Sequence, residues 1–151
     1  MKKFFPILLS IIVAGIICPY CIPQEKEVVE SKEARSYKDS YRSTLDEIGD
    51  GISSGNISSI YNLFSSQIYL SLTNGVSGYY SSNQAYYVIH DFLKTNQVVS
   101  LDISDIQEDE ENVYATGAYS YLIKGKKESS LIYICLKRSN KKWKITQITI
   151  N

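Results

Sequence analysis

From Tyr37 onward, apolar residues recur at spacings of 4, 4, 3 and 4 through Tyr41, Leu45, Ile48 and Ile52. That spacing puts them on one stripe of an amphipathic helix. Ser54-Gly55-Asn56 then punctuates the chain. Gly55 suits the left-handed residue that ends a helix, and Asn56 can cap a second one carrying Ile57, Ile60, Tyr61 and Phe64. Beyond it the period falls to two. Ile68, Leu70 and Leu72 alternate with polar residues, as in a strand with those three inward. Asn74-Gly75 predicts a tight hairpin, with Val76 to Tyr80 as the return strand. Ser81 and Gln84 have capping-box spacing, and the helix they open buries Ala85, Val88, Ile89 and Phe92. His90 lies about 140° from Ala85 around that helix, off the stripe.

The rest reads as strand after strand: Val98 to Ile106, Val113 to Ile123, Ser130 to Arg138 and Trp143 to Ile150. Polar turns join them, at Glu108 to Glu111, Lys124 to Glu128 and Ser139 to Lys142. In an up-and-down meander the first and third turns share one end of the sheet, so an acidic turn and a basic turn attract across it. Apolar positions in the last strand change phase, from Trp143 and Ile145 to Ile148 and Ile150. A β-bulge near Thr146-Gln147 absorbs that slip. The predicted class is α+β, with N-terminal helices, a short β-hairpin, one further helix and a curved four-stranded antiparallel sheet.

The N-terminus has a different character. Lys2 and Lys3 precede an uncharged run from Phe4 to Cys18, shorter than the roughly 20 residues that span a bilayer. We read residues 1–22 as a secretion signal or membrane anchor, the other alternative being a buried core helix. Residues 23–36, rich in Glu and Lys, read as a polar linker or frayed helix start, and 37–151 as a single domain. The expected location is exported, periplasmic or envelope-attached, with membrane contact only through the N-terminal segment. Gly15-Ile16-Ile17 lacks the small residue a lipobox sets before its cysteine, which leaves lipid attachment at Cys18 or Cys21 open. Cys18-Pro19-Tyr20-Cys21 resembles the redox motif of glutaredoxins, but no βαβ unit follows to place a thiol at a helix N-terminus. Cys135 reads as a small buried hydrophobe. Charge is balanced, with 16 Lys+Arg against 16 Asp+Glu, which gives no electrostatic reason to bind nucleic acid.

The order of elements resembles the nuclear-transport-factor-2-like, or cystatin-like α+β cone, superfamily. Within it, the chain is similar to an exported family of unknown function from Gram-negative bacteria. The residues carrying the likeness are Ile52 to Asn56, Leu63 to Leu70, Tyr80 to Ala85 with Phe92, and Trp143 to Ile150. Leu93 stands where a second aromatic is common. The resemblance spans Leu45 to Ile150 and implies a cone-like fold and export, but no activity. Gln97-Val98-Val99-Ser100-Leu101 resembles the inhibitory hairpin of cystatins, except that Leu101 replaces its glycine and the segment enters a strand.

Enzymes on this cone use a cavity carboxylate, often with His or Tyr. Here the one histidine is on a polar face. Asp102 alternates with Ser100 and Ser104, and Asp39, Asp46 and Asp50 lie off the first helical stripe. No zinc spacing, nucleophile elbow or phosphate loop is present, so we expect no catalytic residue, metal or cofactor. Thirteen tyrosines are unusual. Tyr119, Tyr121, Tyr133 and Trp143 are the ligand-binding or interface candidates: they pack the core, line a cavity, or cover a sheet face against a second copy. The expected function is a non-enzymatic binding or interaction module, with a small apolar ligand or a homodimer partner. The alternative is a small isomerase- or dehydratase-type enzyme, if Asp91, Asp102 or Asp105 faces a cavity.

Overall fold

A computed structural model describes residues 24–151; the segment read as signal or anchor, with Cys18 and Cys21, lies outside the described residues. Helix α1 runs Gln24–Ser53. Residues 24–36, read from sequence as linker or frayed start, continue that helix, as their Glu, Lys and Ala content permits. Among the described residues no helix is long and apolar enough to cross a membrane. Gly55, at φ 69°, turns the chain into the short α2, Ile57–Ile60, and a 3-10 turn over Tyr61–Leu63. The Asn56 side chain makes no capping bond. Instead its carbonyl accepts from the amide and hydroxyl of Ser59.

Strands β1, Phe64–Ser71, and β2, Ser77–Ser81, form the expected hairpin. Its loop has three residues, because the Leu72 amide donates to the Val76 carbonyl and the Gly75 amide to Leu72. Gly75 takes the left-handed position at φ 88°. Helix α3, Ser82–Thr95, opens on a complete capping box: the Gln84 amide donates to the Ser81 hydroxyl, and the Ser81 amide donates to the Gln84 side chain. It buries Ala85, Ile89, Phe92 and Leu93, while Val88 is half-buried. The long strands are β3, Gln97–Glu108; β4, Asn112–Ile123; β5, Lys126–Ser139; and β6, Lys142–Ile150.

One point of architecture corrects the sequence reading. The sheet is six-stranded and mixed, in the order β2-β1-β6-β5-β4-β3. The hairpin does not stand apart from an antiparallel four: β1 lies parallel to β6, pairing Leu70 with Ile148. That contact joins residues almost eighty positions apart, and no local pattern encodes it. The bulge in β6 is where the phase change put it, with Thr146 the extra residue opposite Cys135 and Leu136. Val99 and Ser104 are further extra residues in β3. Gly117 on β4 lets β3 close in at the second of these, since a Cβ there would meet the Asp102 carbonyl oxygen at 2.2 Å. Bulges and this close approach bend the sheet around α1 and α3.

One face of the sheet and the two long helices enclose the core. Tyr41, Leu45, Ile48 and Ile52 of α1 meet Ile132, Ile134 and Leu136 of β5 and Trp143, Ile145 and Ile148 of β6, all buried in one cluster.

Candidate functional site

The four aromatic candidates do not converge on one site; they separate into three places. Tyr119 and Tyr121 sit inside, ring centroids 5.2 Å apart, with Tyr119 6.4 Å from Phe92. Trp143 is buried near the other end, edge-on to Tyr37 and Tyr41 at 5.2 and 6.0 Å. Tyr133 projects from the opposite side of the sheet, because β5 buries Ile132 and Ile134 and turns its odd positions outward. Sequence alternation places Tyr119 and Tyr121 together, but only strand register shows which face of β5 shares theirs.

The interior is filled around Tyr119. Its hydroxyl is buried without a hydrogen-bond partner, and burial, with Tyr121 beside it, pushes the phenol well above its usual range. Five open clefts among the described residues, with volumes of about 270 to 780 Å³, are not lined by Tyr119 or Tyr121. His90 borders one of them, stacked on Tyr86 with Nδ1 3.3 Å from Asp91. Asp91, Asp102 and Asp105 are all exposed. Among the described residues, Asn96 is the buried polar side chain, and its amide donates to the Phe92 carbonyl as it ends α3.

The outer face of the sheet is different in kind. Register aligns Tyr79, Tyr69, Gln147, Cys135 and Tyr114 in one row across five strands. The next row holds Ser77, Ser71, Thr149, Tyr133 and Thr116. Leu131 and Ala118 extend it. Charged groups lie at its margins, in Asp102 and Asp105 on β3, in Lys137 and Lys144 toward the β5–β6 turn and in Lys127 toward the β4–β5 turn. Leu131 is 72% exposed and Tyr79 70%. Tyr133 stacks on Tyr114 at 6.4 Å, and Tyr69 meets Tyr79 at 5.1 Å. Partial burial pushes the Tyr114 and Tyr133 phenols upward. Cys135, read from sequence as a buried hydrophobe, is half-buried on this outer face. The sequence reading missed Tyr69, Tyr79 and Tyr114, although alternation puts Tyr114 opposite Tyr119.

The acidic turn also finds partners other than the basic turn expected for it. Glu108 pairs with Lys38 of α1 at 3.1 Å and Glu111 with Lys137 of β5 at 3.7 Å. The Tyr41 hydroxyl, then Lys38, hold the Glu108 carboxyl below its usual range. The amides of Glu111 and Asn112 do the same for Asp109.

Comparison with known proteins agrees with this geometry. Residues 45–151 match the family model described as a domain of unknown function, DUF4783. The chain matches no curated protein. A DUF4783 family protein from Bacteroides uniformis superposes with a TM-score of 0.63 at 15% identity, over 70% of this chain and 94% of that one. An NTF2-like protein with a cystatin-like fold from Novosphingobium aromaticivorans gives 0.65 at 11% identity, over 85% and 90%. A hypothetical protein with a ketosteroid isomerase-like fold from Catenulispora acidiphila, in complex with trimethylamine, gives 0.57 at 14% identity, over 71% and 82%. These likenesses establish the cone fold, and the match over residues 45–151 places the chain in the DUF4783 family of domains of unknown function.

Proposed function

We propose that the protein is a non-enzymatic interaction module whose outer sheet face binds a second copy of itself. The observation that carries this reading is the five-strand row of tyrosine and uncharged polar residues, with exposed Leu131 beside it. Interface centres are poor in charge and rich in aromatics. An isologous contact also sets a surface against itself, where a central charge would meet its own copy. This face keeps its charges to the margins. The exposure of Asp91, Asp102 and Asp105 supports the non-enzymatic half of the reading, since none is held where burial would tune a cavity acid. Export by the N-terminal segment belongs to the same proposal. Light scattering should give twice the chain mass for the wild type and the single-chain mass for Tyr133→Lys, with an unchanged circular dichroism spectrum. A wild-type monomer at high concentration would overturn it.

One observation favours a second reading. The unpartnered Tyr119 hydroxyl is what a small apolar ligand with one acceptor would satisfy if the cone opened to admit it. Native mass spectrometry of the purified protein would show such a ligand as retained mass.

A further inference from the structure

The molecule contains two tight hairpins of the same construction and different chemistry. Between β4 and β5, Ile123 pairs with Lys126, and the turn consists of Lys124 and Gly125 at φ 52° and 77°. Between β5 and β6, Ser139 pairs with Lys142, and the turn consists of Asn140 and Lys141 at φ 51° and 63°. Two-residue turns of this hand favour glycine at the second position, because left-handed backbone crowds a Cβ. Gly125 obeys the rule. Lys141 does not, so the chain holds a full side chain at a conformational cost where glycine would relieve it.

That side chain borders two adjoining clefts. The first, of about 650 Å³, is walled by Ser36, Tyr37 and Ser40 of α1 together with Arg138 and Trp143. The second, of about 470 Å³, shares Ser40, Lys141 and Trp143 and adds Lys142 and Lys144. The Arg138 guanidinium lies over the Tyr37 ring, 5.0 Å from its centroid. Stacking of that kind fixes the guanidinium plane and leaves its edge free to donate. Three of the four acids in the adjoining turn are engaged elsewhere: Glu108 by Lys38, Glu111 by Lys137, and the Asp109 carboxylate by the amides of Glu111 and Asn112. Among the described residues no ion pair includes Arg138, Lys141 or Lys142. Lys144 is engaged, donating to the Asn62 carbonyl.

We propose that the β5–β6 hairpin tip is a phosphate-binding site, with Arg138 and Lys141 as its charged ligands and the Ser36 and Ser40 hydroxyls as further donors. An oriented guanidinium and an ammonium converging on hydroxyl-lined space match a tetrahedral oxyanion. The bound group belongs either to a soluble phosphoester or to an anionic phospholipid headgroup, which share this chemistry. The site lies apart from the outer sheet face and stands or falls independently of self-association.

Trp143 is the single tryptophan of the chain and borders both clefts, so its fluorescence reports on this place alone. Titration with inorganic pyrophosphate, and separately with phosphatidylglycerol vesicles, should give a saturable change in at least one arm. Sodium chloride at matched ionic strength and phosphatidylcholine vesicles should not. Response to pyrophosphate identifies the soluble source, and response to anionic vesicles alone identifies the headgroup. Lys141→Gly should weaken the active arm about tenfold or more, the loss of one charge-assisted hydrogen bond, while raising Tm by about 2–5 °C through relief of the turn. Binding lost with stability gained is a combination that damage to the fold cannot produce. No saturable response in either arm, a response equalled by chloride, unaltered affinity in Lys141→Gly, or an unchanged Tm would each overturn the proposal.

Discussion

Two residues show how far side-chain chemistry alone carries the argument. Ser81 and Gln84 satisfy each other's backbone amides at the start of α3, an arrangement legible from spacing because it needs only four consecutive residues. Ser81→Ala removes one acceptor and should lower stability by about 1 kcal/mol, read as a shifted urea midpoint. Tyr119 is the opposite case. Its place in the strand pattern was evident, but the isolation of its hydroxyl depends on everything packed around it. Burying a hydroxyl without a partner is unfavourable, so Tyr119→Phe should stabilise the protein by about 1 kcal/mol. A loss of stability instead would indicate a bound molecule accepting that proton. The phenol's folded value is raised above the ordinary 10.0 by burial. Its contribution is therefore fully present below pH 10 and is lost as pH rises beyond it, because only the unfolded chain ionises there. Tyr119→Phe should accordingly delay alkaline unfolding.

At the scale of elements, curvature comes from extra residues and from one missing side chain. The Thr146 bulge was legible because it shifts the apolar phase of a single strand. The bulges at Val99 and Ser104 were missed, although the inward residues Val98, Leu101, Ile103 and Ile106 change phase at each of them. Gly117 belongs with them. A Cβ there would press on the backbone of β3, which cannot rotate away as a side-chain tip could. Gly117→Ala should destabilise by about 1–3 kcal/mol, and its thermal midpoint should fall without loss of the helical signal until unfolding. A neutral outcome would show that β3 moves freely over β4, and the curvature would then need another source.

For the molecule as a whole, folding and association share one sheet. Its inner face is closed by α1 and α3, while its outer face carries Tyr69, Tyr114 and Tyr133 without a covering element among the described residues. If two copies meet there, mass action makes the thermal midpoint rise with protein concentration. Tyr133→Lys should abolish that dependence. A midpoint independent of concentration in the wild type would leave the face solvent-exposed. Residues 24–151 contain one cysteine, Cys135, so a comparison at matched concentration should give the same midpoint with and without reductant, unless that thiol bridges two copies.

By itself the sequence determined what depends on neighbours along the chain: the stripe of α1, the cap of α3, the Asn74-Gly75 loop, four long strands and the bulge in the last. Each follows from a period or a short-range hydrogen bond, and these survive in any tertiary setting. Only the tertiary structure decided which faces meet. The parallel contact of β1 with β6 enlarged four strands to six, and the register of β5 sent Tyr133 outward while Tyr119 went in. The β5–β6 turn brought Arg138 and Lys141 beside Ser36 and Ser40, about a hundred residues earlier in the chain. Alternation says that successive side chains point to opposite faces, but not which face is covered. That choice is made by hydrophobic burial summed over the whole chain, and no segment contains it.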